Sequence, residues 1–266
     1  MLALWYGVDA LAEKYPTMGG YVYCAGNPVK FVDPDGNSTH TTEDGTVVAI
    51  YDDNDYGVYI HGQKELEGFD ESTMLVNGAR LSCNANQKRG ETWTPLGFAD
   101  FKAYEKGIIK VADGAKIFFD SQWATETIEN FVEEDPSTYN YFKNAGTGEK
   151  YDFKNQSPNG NNSHGSMLYG KYASARDVGN FAAGIIKAKS FLGPNIIQWG
   201  FGTYNISGNN KSKTIGIMLT DWILMNNEDF NAQKIGYKRI VEHSNGEDRL
   251  SQMGIDAGYN YQKQKK

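Results

Sequence analysis

An α+β fold is what the 266-residue sequence predicts, and three observations carry that expectation. β-branched and aromatic runs bounded by turn residues occupy about 43–119. From about 122 to 262 the apolar residues recur at helical spacing instead. Strands followed by helices is the order expected of an α+β chain. The charge also changes sign where the period changes. Residues 38–136 carry 19 acidic and 8 basic side chains, and residues 137–240 carry 6 and 12. The division near Asp135-Pro136 predicts a β-rich acidic lobe over 38–136 packed on a helical basic lobe over 137–266.

The strands follow in order. Val47–Tyr51 and Gly57–His61, separated by the polar stretch Asp52–Tyr56, read as a β-hairpin within 43–62. Residues 63–90 are polar and spotted with Gly and Asn, with one strand expected at Met74–Leu81. Thr92–Phe98 reads as a short strand ended by a turn. Ile108–Val111 and Ala115–Phe119 read as two more, with Asp113-Gly114 between them as the turn.

The first helix is expected over Gln122–Glu134. Ala124, Ile128, Phe131 and Val132 form one stripe, and Pro136 ends it. Glu126, Glu129 and Glu133 on its other face read as a solvated surface. Residues 143–170, rich in Asn, Gly, Ser and Pro, read as a long loop, a kind that is either functional or disordered. A second helix is expected over Tyr172–Ser190, with Val178, Phe181, Ala182, Ile185 and Ile186 facing the core and Gly193-Pro194 as the break. Residues 195–225 are apolar and glycine-rich, with a loop at Asn205–Asn210 and a helix at Ile215–Met225. Ala232–Val241 and Glu247–Gln262 should be the last helices, the final one preceded by a capping box at Ser244–Glu247.

Bulk properties exclude several classes. Mean hydropathy is −0.58, as expected of a soluble chain. The longest apolar run, Ile215–Met225, is interrupted by Asp221 and is shorter than the ~20 residues of a membrane span. Cys24 and Cys83 are too few and too distant for a disulfide framework or a metal spacing. His40, His61, His164 and His243 are scattered without HxH or HExxH spacing. Asp52-Asp53-Asn54-Asp55 resembles the start of a calcium loop, lacks its glycine and trailing glutamate, and reads as a turn. G-x-S-x-G is absent, and Gly200-Phe201-Gly202 lacks the context of a nucleotide site. No metal and no cofactor is expected. No charged-then-apolar leader is visible.

Leu11-Ala12-Glu13-Lys14-Tyr15-Pro16, Tyr21-Val22-Tyr23, Asn27-Pro28 and Asp33-Pro34-Asp35-Gly36 form an ordered set within residues 2–36. Taken together they resemble the terminal segment of the RHS repeat-associated core, the end of a bacterial YD-repeat shell. The resemblance implies that residues 1–37 are a junction rather than an independent domain. It implies that residues 38–266 are a variable C-terminal domain, usually a toxin. Met1 enters the middle of this pattern, so a fragment of a longer gene or a displaced remnant is expected. Asn37-Ser38-Thr39-His40 stands where self-cleaving relatives carry a glycine-rich extension, so cleavage at this junction is not implied.

The candidate site joins the long loop to the helix after it: Asp152, Lys154, His164, Asp177 and Asn180. Asp177 and Asn180 are i, i+3 neighbours on the face opposite the apolar stripe, expected to point away from the core. Gly179 beside them allows a backbone or substrate to approach. Asp152 and Asp177 could form a carboxylate pair, His164 could act as acid or base, and Lys154 could hold a phosphate or oxyanion. Equally, Asp177 could cap its helix or pair with Arg176 or Lys154, and His164 could be a loop residue bound to backbone. Asp152-Phe153-Lys154 followed by Asp177-Val178-Gly179-Asn180-Phe181, with the later Ile235-Gly236-Tyr237, is similar to the polymorphic-toxin family catalogued as type 44, over about residues 137–260. Tyr151 departs from that pattern, where a tryptophan or glycine is expected.

This resemblance implies an exported bacterial effector with an RHS shell and a cognate immunity protein as partners. A nuclease using His164, Lys154 and Asp177 on a nucleic acid is the first reading, favoured by the basic half. A cell-wall glycan hydrolase using Asp152 and Asp177 is the alternative. A membrane-active domain built on residues 181–225, and an inactive displaced tail, are the others.

Overall fold

The computed structural model describes residues 37–265 apart from Pro95, Asn159 and Asp248. The RHS-like stretch up to Gly36, and Cys24 within it, lie outside the described residues. In chain order the first strands are β1 (Asn37–Thr42), β2 (Val47–Asp52), β3 (Gly57–His61), the two-residue pair β4 (Phe69–Asp70) and β5 (Leu75–Val76), and β6 (Lys88–Glu91). The main sheet runs β2-β1-β3-β6. β1 lies antiparallel to β2 (Ser38 opposite Tyr51) and parallel to β3 (His40 opposite Tyr59).

The expected hairpin over 43–62 is therefore corrected: both of its strands exist, but β1 lies between them. β1 reads NSTHTT, so its polarity hides it, yet Asn37 through Thr41 are all buried. Ser38 and His40 find polar partners inside, as burial of such groups requires. Asp53–Tyr56 is then no tight turn but a link that crosses the start of β1, where Asp53 Oδ1 accepts from the Ser38 N–H at 2.9 Å. The strand expected at Met74–Leu81 shrinks to β5. Of the strand expected at Thr92–Phe98, Thr92 makes a single bridge, to Tyr172, and residues 96–98 turn.

Next come α1 (Phe101–Tyr104), β7 (Lys116–Ile117), α2 (Trp123–Glu134), α3 (Thr138–Asn144), β8 (His164–Leu168) and β9 (Lys171–Ser174). Ile108–Val111 and Ala115–Phe119 do not pair with each other. Val111 bridges Ala99, and β7 pairs in parallel with β8 in a sheet ordered β7-β8-β9. Strands from either side of Pro136 thus share one sheet. The expected long loop 143–170 contains the end of α3 and the whole of β8. β8 and β9 form a hairpin whose turn, Tyr169-Gly170, has φ of 47° and 87°, the geometry of a two-residue primed turn. Gly165 weakens the strand pattern of β8, but a Cβ there would sit 2.5 Å from the Phe98 ring.

The remaining helices are α4 (Ala175–Lys189), α5 (Pro194–Ile206), α6 (Lys211–Met225), α7 (Phe230–Ser244) and α8 (Arg249–Gln264). α4 begins three residues later than expected, because Tyr172–Ser174 belong to β9 and Ser174 is the N-cap, accepting from the Asp177 N–H at 3.2 Å. α4 is the spine of the larger core. Phe181, Ala182, Ile185 and Ile186 meet Ile128 and Phe131 of α2, Phe153, Leu168 and Ile197. On its opposite side α8 lies in backbone contact: a Cβ at Gly184 would be 2.0 Å from the Ile255 carbonyl oxygen, and one at Gly258 would be 2.0 Å from that of Phe181. A second cluster, built on Val47, Ile50, Val58, Phe98 and Ile117, fills the space between the two larger sheets.

α5 is the helix the sequence conceals. Pro194 sits in its first turn, where a missing N–H costs nothing. The expected capping box is also corrected: Ser244 is the last residue of α7, and its hydroxyl donates to the Ile240 carbonyl.

Candidate functional site: a polar cleft between the fourth and eighth helices

Gly179 is where the site begins. The segment Tyr151–Asn155 crosses α4 at this position, and a Cβ on Gly179 would stand 3.0 Å from Lys154 Cγ. The missing side chain lets the Lys154 stem lie on the helix. Behind the crossing opens a cleft of about 180 Å³ lined by Asp152, Lys154, Asn180, Tyr204, Glu247 and Ser251, among others. Aromatic walls come from Tyr141, Phe142, Tyr151 and Phe201.

Each polar group has a definite environment. Asp152 is buried, and its Oδ2 accepts from the Gly148 N–H at 2.7 Å and from Asn155 Nδ2 at 2.8 Å. These donors fix the carboxylate. Asn180 is 4% exposed, and its Nδ2 has no hydrogen-bond partner among the described residues. A buried donor without a partner is rare enough to require water or a ligand. Lys154 is half-buried and makes no ion pair among the described residues. Burial, then the Asp152 and Glu149 carboxylates, push the Tyr204 phenol up. Burial and the hydrogen bond to Glu134 push that of Tyr151 up to about 12. Both rings therefore stay neutral donors at neutral pH.

Three of the five residues singled out in the sequence, Asp152, Lys154 and Asn180, meet in this cleft. Asp177 and His164 do not line it. Asp177 was expected on a polar face turned away from the core, yet it is 3% exposed. The expectation assumed one buried face on α4, whereas Thr94 and Gly97 cover the polar face at Asp177 and α8 covers it at Asn180. Asp177 Oδ2 accepts from Thr94 Oγ1 at 2.8 Å, while Arg176 Nη2 donates to the carbonyls of Leu96 at 2.9 Å and Gly97 at 3.2 Å. The pair ties Thr94, Leu96 and Gly97 to the start of α4, where a carboxylate also suits the helix dipole.

His164 is a strand residue rather than a loop residue. Its ring meets Phe118 edge-on at 5.2 Å, and burial lowers its pKa. Glu247 and Ser251, which complete the cleft, escaped sequence reasoning because they lie far along the chain from Asn180. No family model, no curated protein and no solved structure matches the chain.

Proposed function

We propose that the chain is the effector portion of an RHS-type polymorphic toxin, and that the cleft is a hydrolytic site for a neutral, polar polymer, a cell-wall glycan. The observation that carries this reading is the meeting of Asp152, Lys154 and Asn180 with Glu247 in one aromatic-walled cleft. Two carboxyl groups and a water are the chemical requirement for glycoside cleavage. Asp152, oriented by two N–H donors, takes the role of base toward that water. Glu247 delivers a proton to the leaving oxygen. Lys154 and the free Nδ2 of Asn180 hold substrate hydroxyl groups, and the aromatic side chains face the sugar rings.

The nuclease reading loses support on the same ground. Of its trio, only Lys154 lines the cleft, and Asp152 and Glu247 would repel a phosphodiester there. The partners proposed are a shell encoded upstream and an immunity protein that occludes the cleft.

The test is growth of a bacterial host with the chain directed to the periplasm or kept in the cytoplasm. Periplasmic arrest that Asp152→Asn and Glu247→Gln relieve is the expected result. Cytoplasmic arrest with loss of RNA would sink the glycan reading.

One observation favours a second reading, action at a membrane surface. Ile215, Leu219, Trp222 and Ile223 of α6 and Ile235, Tyr237 and Val241 of α7 are all more than half exposed. Exposed apolar patches of this kind mark interaction surfaces. Among the described residues no helix is long and apolar enough to cross a membrane. Release of dye from anionic liposomes, unaffected by Asp152→Asn, would support this reading in place of the first.

A further inference from the structure

The register of the main sheet assembles a group of side chains that no spacing in the sequence announces. β1 is parallel to β3 with Thr42 opposite His61, so two histidines 21 positions apart stack with ring centroids 5.0 Å apart. His40 Nδ1 and His61 Nε2 are 2.8 Å apart. The link after β2 brings Asp53 over the start of β1, and the turn before β6 brings Cys83 beside it. Cys83 Sγ lies 3.8 Å from His40 Nε2 and 3.8 Å from Asp53 Oδ2. One ligand atom from each of His40, Asp53 and Cys83 falls within 4.8 Å of the other two.

We propose that His40, Asp53 and Cys83 form a three-ligand zinc site. The geometry is close to what the ion requires. Zn–S of about 2.3 Å and Zn–N of about 2.0 Å at a tetrahedral angle place sulfur and nitrogen roughly 3.5 Å apart. The two observed 3.8 Å spacings close with a small inward turn of the exposed Cys83 side chain, and the His40 and Asp53 ligand atoms, within 4.8 Å of each other, draw together on the ion. A thiolate, an imidazole and a carboxylate together select zinc over magnesium or calcium, which take oxygen ligands.

The surroundings fit a metal ligand set as well. In the tautomer in which His40 donates from Nδ1 to His61 Nε2, its Nε2 carries the lone pair, 3.0 Å from Ser38 Oγ and 3.8 Å from Cys83 Sγ. His61 then donates from Nδ1 to Glu65 Oε2 at 3.4 Å, and Gln87 Nε2 donates to Glu65 Oε1 at 2.8 Å. This is the outer shell that orients a metal-bound histidine. Ser38 Oγ lies 2.5 Å from Asp53 Oδ2 and 3.0 Å from His40 Nε2, and so bridges the two ligand side chains.

The site lies in the β-rich half and shares no residue with the cleft, so its fate is independent of the glycan reading. The experiment is titration of the purified full chain with Co²⁺, followed by Zn²⁺. A thiolate-to-cobalt charge-transfer band that zinc abolishes is expected in the wild type. Cys83→Ser should remove the band and weaken zinc binding at least tenfold, and Asp53→Asn should weaken binding similarly. Cys24→Ser, which removes the only other thiol, should keep the band. Because His40 is fully buried, the test rests on the exposed Cys83 and on Asp53, which is replaced by its isostere. Absence of the band in the wild type, its survival in Cys83→Ser, or its loss in Cys24→Ser would overturn the proposal.

Discussion

The Gly258→Ala substitution probes the joint on which the cleft depends. An ideal Cβ at Gly258 lies 2.0 Å from the Phe181 carbonyl oxygen, and ordinary contact begins at 3.4 Å, so α8 must withdraw by about 1.4 Å. A gap of roughly 0.5–1 Å already forfeits a quarter to a half of each dispersion contact along such a seam. Overpacking of this kind costs about 1–3 kcal/mol. The obstacle here is backbone and cannot swing aside, which places the cost at the upper end. The gain in helix propensity from glycine to alanine returns about 1 kcal/mol. The expected net loss is therefore about 2 kcal/mol. Gly216→Ala on α6 is the matched control: nothing lies within 4 Å of a Cβ there, and the helix should gain about 0.5–1 kcal/mol. Urea unfolding of the two variants, compared by midpoint at unchanged slope, reads both effects. Because Gly254 packs against Asn180 in the same seam, Gly258→Ala should also lower activity at the cleft. A Gly258→Ala protein as stable as the wild type, beside a stabilised Gly216→Ala, would refute the close-packed reading of α4 and α8.

Two further outcomes concern the residues that stand outside the cleft. Asp177→Ala should destabilise the fold by about 1.5–3 kcal/mol, since a buried, charge-assisted hydrogen bond to Thr94 is lost; Thr94→Val should lower the melting temperature in the same direction. An Asp177→Ala protein of unchanged stability would show that the clamp contributes nothing. His164→Gln should leave activity intact and flatten the acid limb of the stability curve. Burial disfavours the imidazolium in the folded protein, so the unfolded chain takes up the proton first. The His164 contribution is present in full above pH 6.5 and is lost as the pH falls below it. Unfolding at pH 7.5 and 5.5 checks this, and an unchanged gap between variant and wild type would contradict it.

α2 was legible because one face alone is buried, whereas the short α3 left no stripe to read. The stripe of Ala124, Ile128 and Phe131 gives α2 to within a residue. α4 shows the limit: its core face is evident, but the second buried face depends on glycines of α8 that no periodicity reveals. α5 is hidden for the same reason. Gly202 is needed because a Cβ there would lie 1.9 Å from the His243 carbonyl oxygen, and in sequence such glycines read as breaks. β1 escapes because its buried residues are polar and are satisfied by partners brought in by topology. At the site, Asp152, Lys154 and Asn180 were within reach because adjacent segments carry them. Glu247 was not, because only the return of α8 along α4 places it there.

The central claim is that Asp152 and Glu247 act together in the cleft on glycan. Its most direct test is release of reducing ends from purified peptidoglycan by the wild-type chain, Asp152→Asn and Glu247→Gln, each with an unchanged melting temperature. Release by the wild type and its loss, by about a hundredfold or more, in both variants is the predicted result. Intact glycan in the presence of wild-type protein, or variants as active as the wild type, would contradict it.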